Sequence, residues 1–390
     1  MFLIPALLLI TSTTQNQAEL NRRLDRVTAE TPSRLAAVET ARFLVQSGEK
    51  KKRKSGGGEW KEAVALIEAL EAGGDPLQGR TGDMHQAYRS TLDGTIQPYR
   101  LYAPTSLEAE RTYPLLVVLH GHHGDENSYF DLYRDRATGD RMLLRLAEER
   151  GYFVVAPRGR GPGTRYTGDA EQDVLDVIDR VTALYPIDES QIYLSGHSSG
   201  GVGTWKIGFR FAQRFAALAA VGSAFRYQPA ELSRLPLTEN NDKPLLYVQG
   251  RQDRLATNRY AANLVDFLGP RLQNFVYKEF PDGHNSLGAT SLPTVFDFFD
   301  SVRRGDPLME SDTVSPQPVL VAARNKSRVS YRSTRKVRSS KRTRASAKHR
   351  TSKRTMSRKS VTAYKKQGTK RLPRPKVRAR HNPRRSAKSK

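Results

Sequence analysis

Between residues 95 and 302, short apolar runs alternate with stretches of helical spacing, and this alternation limits the fold more than any other feature of the chain. Pro114-Leu115-Leu116-Val117-Val118-Leu119 is apolar throughout, as a strand is when both of its faces are covered. Similar runs occupy Tyr152–Ala156, Gln191–Leu194, Ala217–Val221 and Pro244–Val248, with shorter strand patterns at Tyr99–Tyr102 and Phe275–Lys278. Helical spacing fills the intervals at Arg141–Glu149, Glu171–Leu184, Thr204–Phe215, Asn258–Leu268 and Thr294–Val302. Strands separated by helices need crossover connections. The expected fold is therefore α/β, with a mostly parallel central sheet and helices on both faces.

The segments around this unit differ in texture. Phe2–Ile10 is almost wholly apolar, too short to span a bilayer, and reads as the core of a secretory signal peptide covering residues 1–18. Secretion or a periplasmic location is the expectation, with the cytoplasm as the alternative. Residues 19–80 read as a helical N-terminal extension, broken at Thr31-Pro32 and by the charged, flexible run Lys50–Gly58. The α/β unit is expected over 88–304, followed by a linker over 305–323.

Charge separates the last segment from the rest. The chain has 390 residues and a net charge of +25, but 28 of its 65 Lys and Arg lie in 324–390, a stretch without Asp or Glu. Positions 1–323 keep 37 basic and 40 acidic residues, so the body is near neutral and a uniformly basic domain is excluded. The tail has too few large apolar side chains to offset the entropy of ordering and is expected to be disordered alone. It suits polyanions such as anionic glycan, a membrane surface or nucleic acid. Tyr331 and Tyr364 are its only aromatics, which argues against stacking on single strands. The absence of cysteine excludes a disulfide scaffold, a Cys nucleophile and thiolate metal sites.

Chemistry concentrates at Gly196-His197-Ser198-Ser199-Gly200, which fits G-x-S-x-G between an apolar strand and a helical stretch. That context presents a serine on a tight strand-to-helix turn, where small flanking residues let neighbouring backbone approach. A serine hydroxyl needs a base to take its proton and an acid to orient that base. Only His284 lies downstream before the tail, so it is the candidate base. Asp253, in the loop after Pro244–Val248, is the favoured acid. Asp242 precedes that strand, Asp266 falls on a helical stretch, and Asp282 is an awkward two residues from His284. A developing oxyanion needs two N–H donors. The backbone N–H of Ser199 and of His122 are the candidates, with His123 as the near alternative. The cluster His120-Gly121-His122-His123-Gly124-Asp125 misses the H-x-H-x-D-H zinc pattern, so no metal site and no cofactor are expected. His123, Arg158, Arg160 and Tyr166 are candidates for substrate contact. The short segment Ala224–Lys243 leaves room for only a small cap.

From about Ser90 to Arg304 the chain resembles the α/β-hydrolase superfamily, within it the esterases and prolyl-oligopeptidase-like peptidases near polyhydroxybutyrate depolymerases and feruloyl or acetylxylan esterases. The residues that carry the likeness are Asp93-Gly94-Thr95, Pro98–Pro104, Leu119-His120-Gly121, Ile187-Asp188, Gln191–Ser198 and Gly201-Val202-Gly203-Thr204-Trp205. Relatives often carry Met or Ala where Ser199 stands. The resemblance implies a serine hydrolase acting on carboxylic esters through an acyl-enzyme, with Ser198 as nucleophile, Asp253 as acid and His284 as base. A serine peptidase is the alternative within enzymes, and a polyanion-binding protein led by its tail is the alternative outside them.

Overall fold

The computed structural model describes residues 17–51, 58–135, 137–161, 163–223 and 233–315. Most of the expected signal segment, part of the cap segment and the whole basic tail lie outside the described residues.

Among the described residues, eight strands form one sheet: β1 (Gly82–Arg89), β2 (Ile96–Ala103), β3 (Tyr113–Leu119), β4 (Phe153–Pro157), β5 (Ile187–His197), β6 (Ala217–Val221), β7 (Leu245–Gly250) and β8 (Phe275–Phe280). Their spatial order is β1-β2-β4-β3-β5-β6-β7-β8. The β1–β2 and β2–β4 pairs are antiparallel, and every later pair is parallel. The α/β-hydrolase fold, with a mostly parallel sheet, is thus the architecture of the chain.

Side-chain alternation along each strand divides the core. Leu115, Val117 and Leu119 of β3 join one buried cluster, while Leu116 and Val118 join the other. The first cluster is closed by the helices Asp169–Leu184 (α6), Ser199–Arg210 (α7) and Asn258–Leu268 (α8), through residues such as Ile178, Trp205 and Leu264. The opposite face is closed by the helices Met142–Arg150 (α5) and Leu292–Arg304 (α10), through Leu143, Phe296 and Phe299.

The N-terminal helices Gln17–Leu24 (α1), Pro32–Lys51 (α2) and Gly58–Glu71 (α3) bury their own apolar cluster, which includes Leu20, Leu44 and Ile67. They also cover the edge of the sheet. Thr40 Oγ1 accepts the backbone N–H of Ala87 in β1 at 2.9 Å, and Arg89 pairs with Glu39 at 3.0 Å. An open strand edge is a hazard, and α2 closes this one.

Three boundaries differ from expectation. β1 was not foreseen, and it straddles the limit expected at residue 88. Helix α7 runs from Ser199 to Arg210 instead of Thr204 to Phe215, because it starts directly at the turn after β5. The first part of the expected linker is bound along β8: Asp312 N–H donates to Tyr277 O at 2.8 Å, and the Asp312 carboxylate accepts from Glu279 N–H at 2.8 Å. Among the described residues no helix is long and apolar enough to cross a membrane.

Candidate active site

The parallel strands end on one edge of the sheet, where the loops leaving β3, β7 and β8 meet the end of β5. β5 passes into α7 with no loop. Ser198 absorbs the reversal with φ 60° and ψ −122°, a left-handed conformation that costs free energy for a side-chain-bearing residue. Its N–H donates to Val221 O of β6 at 2.9 Å. The turn depends on glycine on both sides. A Cβ at Gly200 would overlap the backbone of Leu119 and His120, and one at Gly196 would overlap the backbone of Gly200. This is the steric reason for the G-x-S-x-G spacing.

Three side chains, from the β5–α7 turn and from the segments that follow β7 and β8, form one line. Ser198 Oγ lies 2.8 Å from His284 Nε2, and His284 Nδ1 lies 2.6 Å from Asp253 Oδ2. The carboxylate can only accept, so Nδ1 carries the proton and Nε2 is left to accept from the serine hydroxyl. Asp253 is itself fixed: its Oδ1 accepts the N–H groups of Leu255 and Ala256, each at 2.8 Å. The Asp253 side chain is fully buried, and 9% of the His284 side chain is exposed. His284 is the first residue of a short helix, His284–Thr290 (α9). Asp282 is used elsewhere in that turn, since Ser286 Oγ donates to its Oδ1 at 2.7 Å.

The loop after β3 passes close to the serine. A Cβ at Gly121 would stand 3.5 Å from Ser198 Cβ. The loop is closed by Gly124 N–H donating to Gly121 O at 2.9 Å. Ser199 opens α7, so its N–H has no partner within the helix and belongs to the helix's positive end. The rings of His122 and His123 are exposed and stack edge to face, with centroids 4.6 Å apart.

Two candidates for substrate contact are placed differently from expectation. Arg160 is held by Asp173 at 2.6 Å, by Asp93 and by Ser90 Oγ at 2.8 Å. It braces the loop after β4 instead of reaching the serine. Tyr166 is 2% exposed and packs on His120 with ring centroids 5.4 Å apart, filling the space that Gly159 and Gly203 leave. It is a core residue beneath the elbow. Arg158 is half-buried, and its carbonyl accepts from His120 Nε2 at 2.8 Å. Its positive charge partly offsets the burial that pushes the Glu126 carboxyl upward.

Sequence reasoning missed two residues at the site. His197, inside the motif itself, turns its ring toward His284, and Tyr133 hydrogen-bonds to it. The histidine could have been noticed as the variable residue of G-x-S-x-G. Nothing in the sequence marks Tyr133.

Comparison with known proteins agrees with the fold. The chain is 29% identical over 163 residues to the bifunctional acetylxylan esterase/xylanase XynS20E of Neocallimastix patriciarum, covering 41% of this chain and 22% of that protein. It is 25% identical over 192 residues to feruloyl esterase B of Talaromyces funiculosus, covering 48% and 49% respectively. It is 26% identical over 238 residues to the uncharacterized peptidase YuxL of Bacillus subtilis strain 168, covering 52% and 36%. The matches span about half or less of the length of these relatives. The family profile described as "Alpha/beta hydrolase family" matches residues 116–351, more than half of the sequence. The chain belongs to the alpha/beta hydrolase family.

Proposed function

We propose that the protein is a serine hydrolase that cleaves carboxylic esters through an acyl-enzyme intermediate. The observation that carries this reading is the continuous line Ser198 Oγ, His284 Nε2, His284 Nδ1 and Asp253 Oδ2, with separations of 2.8 Å and 2.6 Å. In this reading His284 takes the Ser198 proton as Oγ attacks the ester carbonyl carbon. Asp253 stabilises the imidazolium that forms. The N–H groups of Ser199 and His122 receive the oxyanion. His284 then returns the proton to the leaving alkoxide, and water repeats the cycle to release the acid.

Two of the relatives are named as esterases of acetyl and feruloyl groups, which supports acyl groups on polysaccharide as the substrate class. The relative named as a peptidase keeps amide cleavage as the second reading. The N-terminal apolar run supports export, to the periplasm or beyond. The basic tail supports retention on a polyanion, with binding that weakens steeply as salt rises. The body 88–304 would then carry the chemistry and 324–390 the location. The tail-led alternative, in which hydrolysis is secondary, predicts that deletion of 324–390 abolishes the main function while ester turnover persists.

Turnover of a soluble aryl ester by the wild type and by Ser198→Ala tests the reading. Loss of at least about a thousandfold in kcat is expected. Equal turnover by the two proteins contradicts it. A matched ester and amide pair separates esterase from peptidase.

A further inference from the structure

His197, immediately before Ser198 at the end of β5, is buried at 6% exposure, and both of its ring nitrogens are engaged. Nε2 lies 2.9 Å from the main-chain carbonyl oxygen of His284. A carbonyl can only accept, so Nε2 carries the proton and donates. In the neutral ring Nδ1 must then accept, and the Tyr133 hydroxyl lies 2.8 Å from it. Burial pushes the Tyr133 phenol well above its ordinary range, so it stays protonated and donates. The directions of both hydrogen bonds follow from this chemistry.

These bonds tie three segments together. Tyr133 lies just beyond the helix Ser128–Leu132 (α4), on the connection that begins with the His120–Gly124 loop. His197 belongs to the elbow, and the carbonyl belongs to the first residue of α9. Tyr133 is in turn seated on α9: a Cβ at Gly288 would lie 2.6 Å from the Tyr133 ring and 2.7 Å from its hydroxyl. The His197 and His284 rings are 4.9 Å apart.

We propose that His197, locked by Tyr133, is a positioning residue that holds the main chain of His284 and thereby the aim of its Nε2 at Ser198. The inference rests on the roles proposed above for Ser198, His284 and Asp253. The arrangement also suits the electrostatics. Burial, and then the charge of the neighbouring His284, push His197 down to about 4, against the smaller opposing effects of its hydrogen bond to the His284 carbonyl and of Asp253. A ring that stays neutral does not oppose the positive charge that forms on His284 during proton transfer. Among the described residues, the ionisable groups facing His197 are Tyr133 from the loop after α4, His284 from α9, and Asp253 from the loop after β7.

Four variants test this: His197→Phe, which keeps bulk without a donor; His197→Gln, whose amide can still donate; Tyr133→Phe; and Gly288→Ala, which crowds the Tyr133 seat. Each is measured for kcat and KM on a soluble aryl ester, normalised to folded protein by circular dichroism. The expected result is a loss in kcat on the order of 10–100-fold for His197→Phe with KM little changed, since small misplacement of a reacting group costs up to about a hundredfold. His197→Gln is expected to recover most of that loss. Tyr133→Phe and Gly288→Ala should each lower kcat several-fold. Wild-type kcat per folded molecule in His197→Phe overturns the proposal, as does a loss that falls on KM alone or that His197→Gln does not recover. If His197→Phe does not fold, Tyr133→Phe and Gly288→Ala decide by the same criteria, and unchanged kcat in both overturns it. Ser198→Ala is run alongside. Turnover there equal to wild type overturns the underlying reading of the site; an inactive Ser198→Ala beside an unaffected His197→Phe overturns only the positioning role.

Discussion

At the carboxyl edge of the sheet, the β5–α7 turn and the segments after β7 and β8 deliver Ser198, Asp253 and His284 into a single hydrogen-bonded line, with His197 buried beside it. At the antiparallel edge, a different network joins β1 and β2 to their neighbours. Arg100 reaches both oxygens of Asp83 at 2.7 Å and Asp131 at 3.0 Å, and Arg141 also pairs with Asp83. His85 of β1 lies 3.5 Å from Glu62 of α3. Each region contains a sequestered histidine, and the two are perturbed in opposite directions. His85 is raised, because the Glu62 carboxylate outweighs the cost of burial. His197 is lowered to about 4, because burial and then the neighbouring His284 act on it, and among the described residues no carboxylate touches it. A partner of opposite charge, more than depth, decides which form of a histidine the fold keeps. The carboxyl edge keeps its second histidine neutral, as a hydrogen-bonding strut. The antiparallel edge uses charge to fasten the N-terminal helices.

The largest expected effect falls on the carboxyl edge. Asp253→Asn preserves shape but favours the wrong tautomer of His284, and kcat should fall by about ten-thousandfold with the fold intact by circular dichroism. Gly200→Ala places a Cβ into the Leu119 carbonyl. It should cost at least ~3 kcal/mol in urea unfolding, because the obstacle is backbone and cannot swing aside. Next comes the pH dependence of stability. A histidine depressed in the fold contributes stability that is full above its unfolded value of about 6.5 and is lost as pH falls toward about 4. His197→Phe should therefore remove ~3 kcal/mol of acid-side loss from the unfolding free energy measured between those limits. His85, raised in the fold, has the opposite sign: its contribution is present below about 6.5 and is lost as pH rises through its folded value. His85→Gln should flatten that alkaline-side loss, which is small because the pair is partly open to solvent. Arg100→Met, on the same edge, should cost ~2 kcal/mol and leave kcat nearly unchanged, since it unpairs Asp83 only in part. A large kcat effect from Arg100→Met, or none from Asp253→Asn, would erase the distinction between the two edges.

How legible each region was in the sequence follows the same division. β3 and β6 could be read directly because both faces are buried and every residue is apolar. Ser198 and His284 could be picked out as candidates because the motif around Ser198 is local and because His284 is the single histidine between it and the tail. The Gly-Asp-Met-His-Gln-Ala-Tyr-Arg run of β1 gave no such signal. Its polar residues are satisfied by distant partners, as where Tyr99 donates to Gln86 at 2.6 Å. Arg160 and Tyr166 were misjudged for a related reason. Both take left-handed backbone conformations in their loop, with φ of 63° and 52°, which turns one to Asp173 and the other into the core. Residue type showed that the loop held a cation and an aromatic ring. Only tertiary structure showed where each one pointed.

The central claim is that Ser198 is an activated nucleophile, and a fluorophosphonate probe tests it without any assumption about substrate. Peptide mass analysis of the labelled protein should place one adduct on Ser198, absent in Ser198→Ala and much slower in Asp253→Asn and His284→Ala. An unlabelled wild type, or a Ser198→Ala variant labelled at the wild-type rate, would contradict the account.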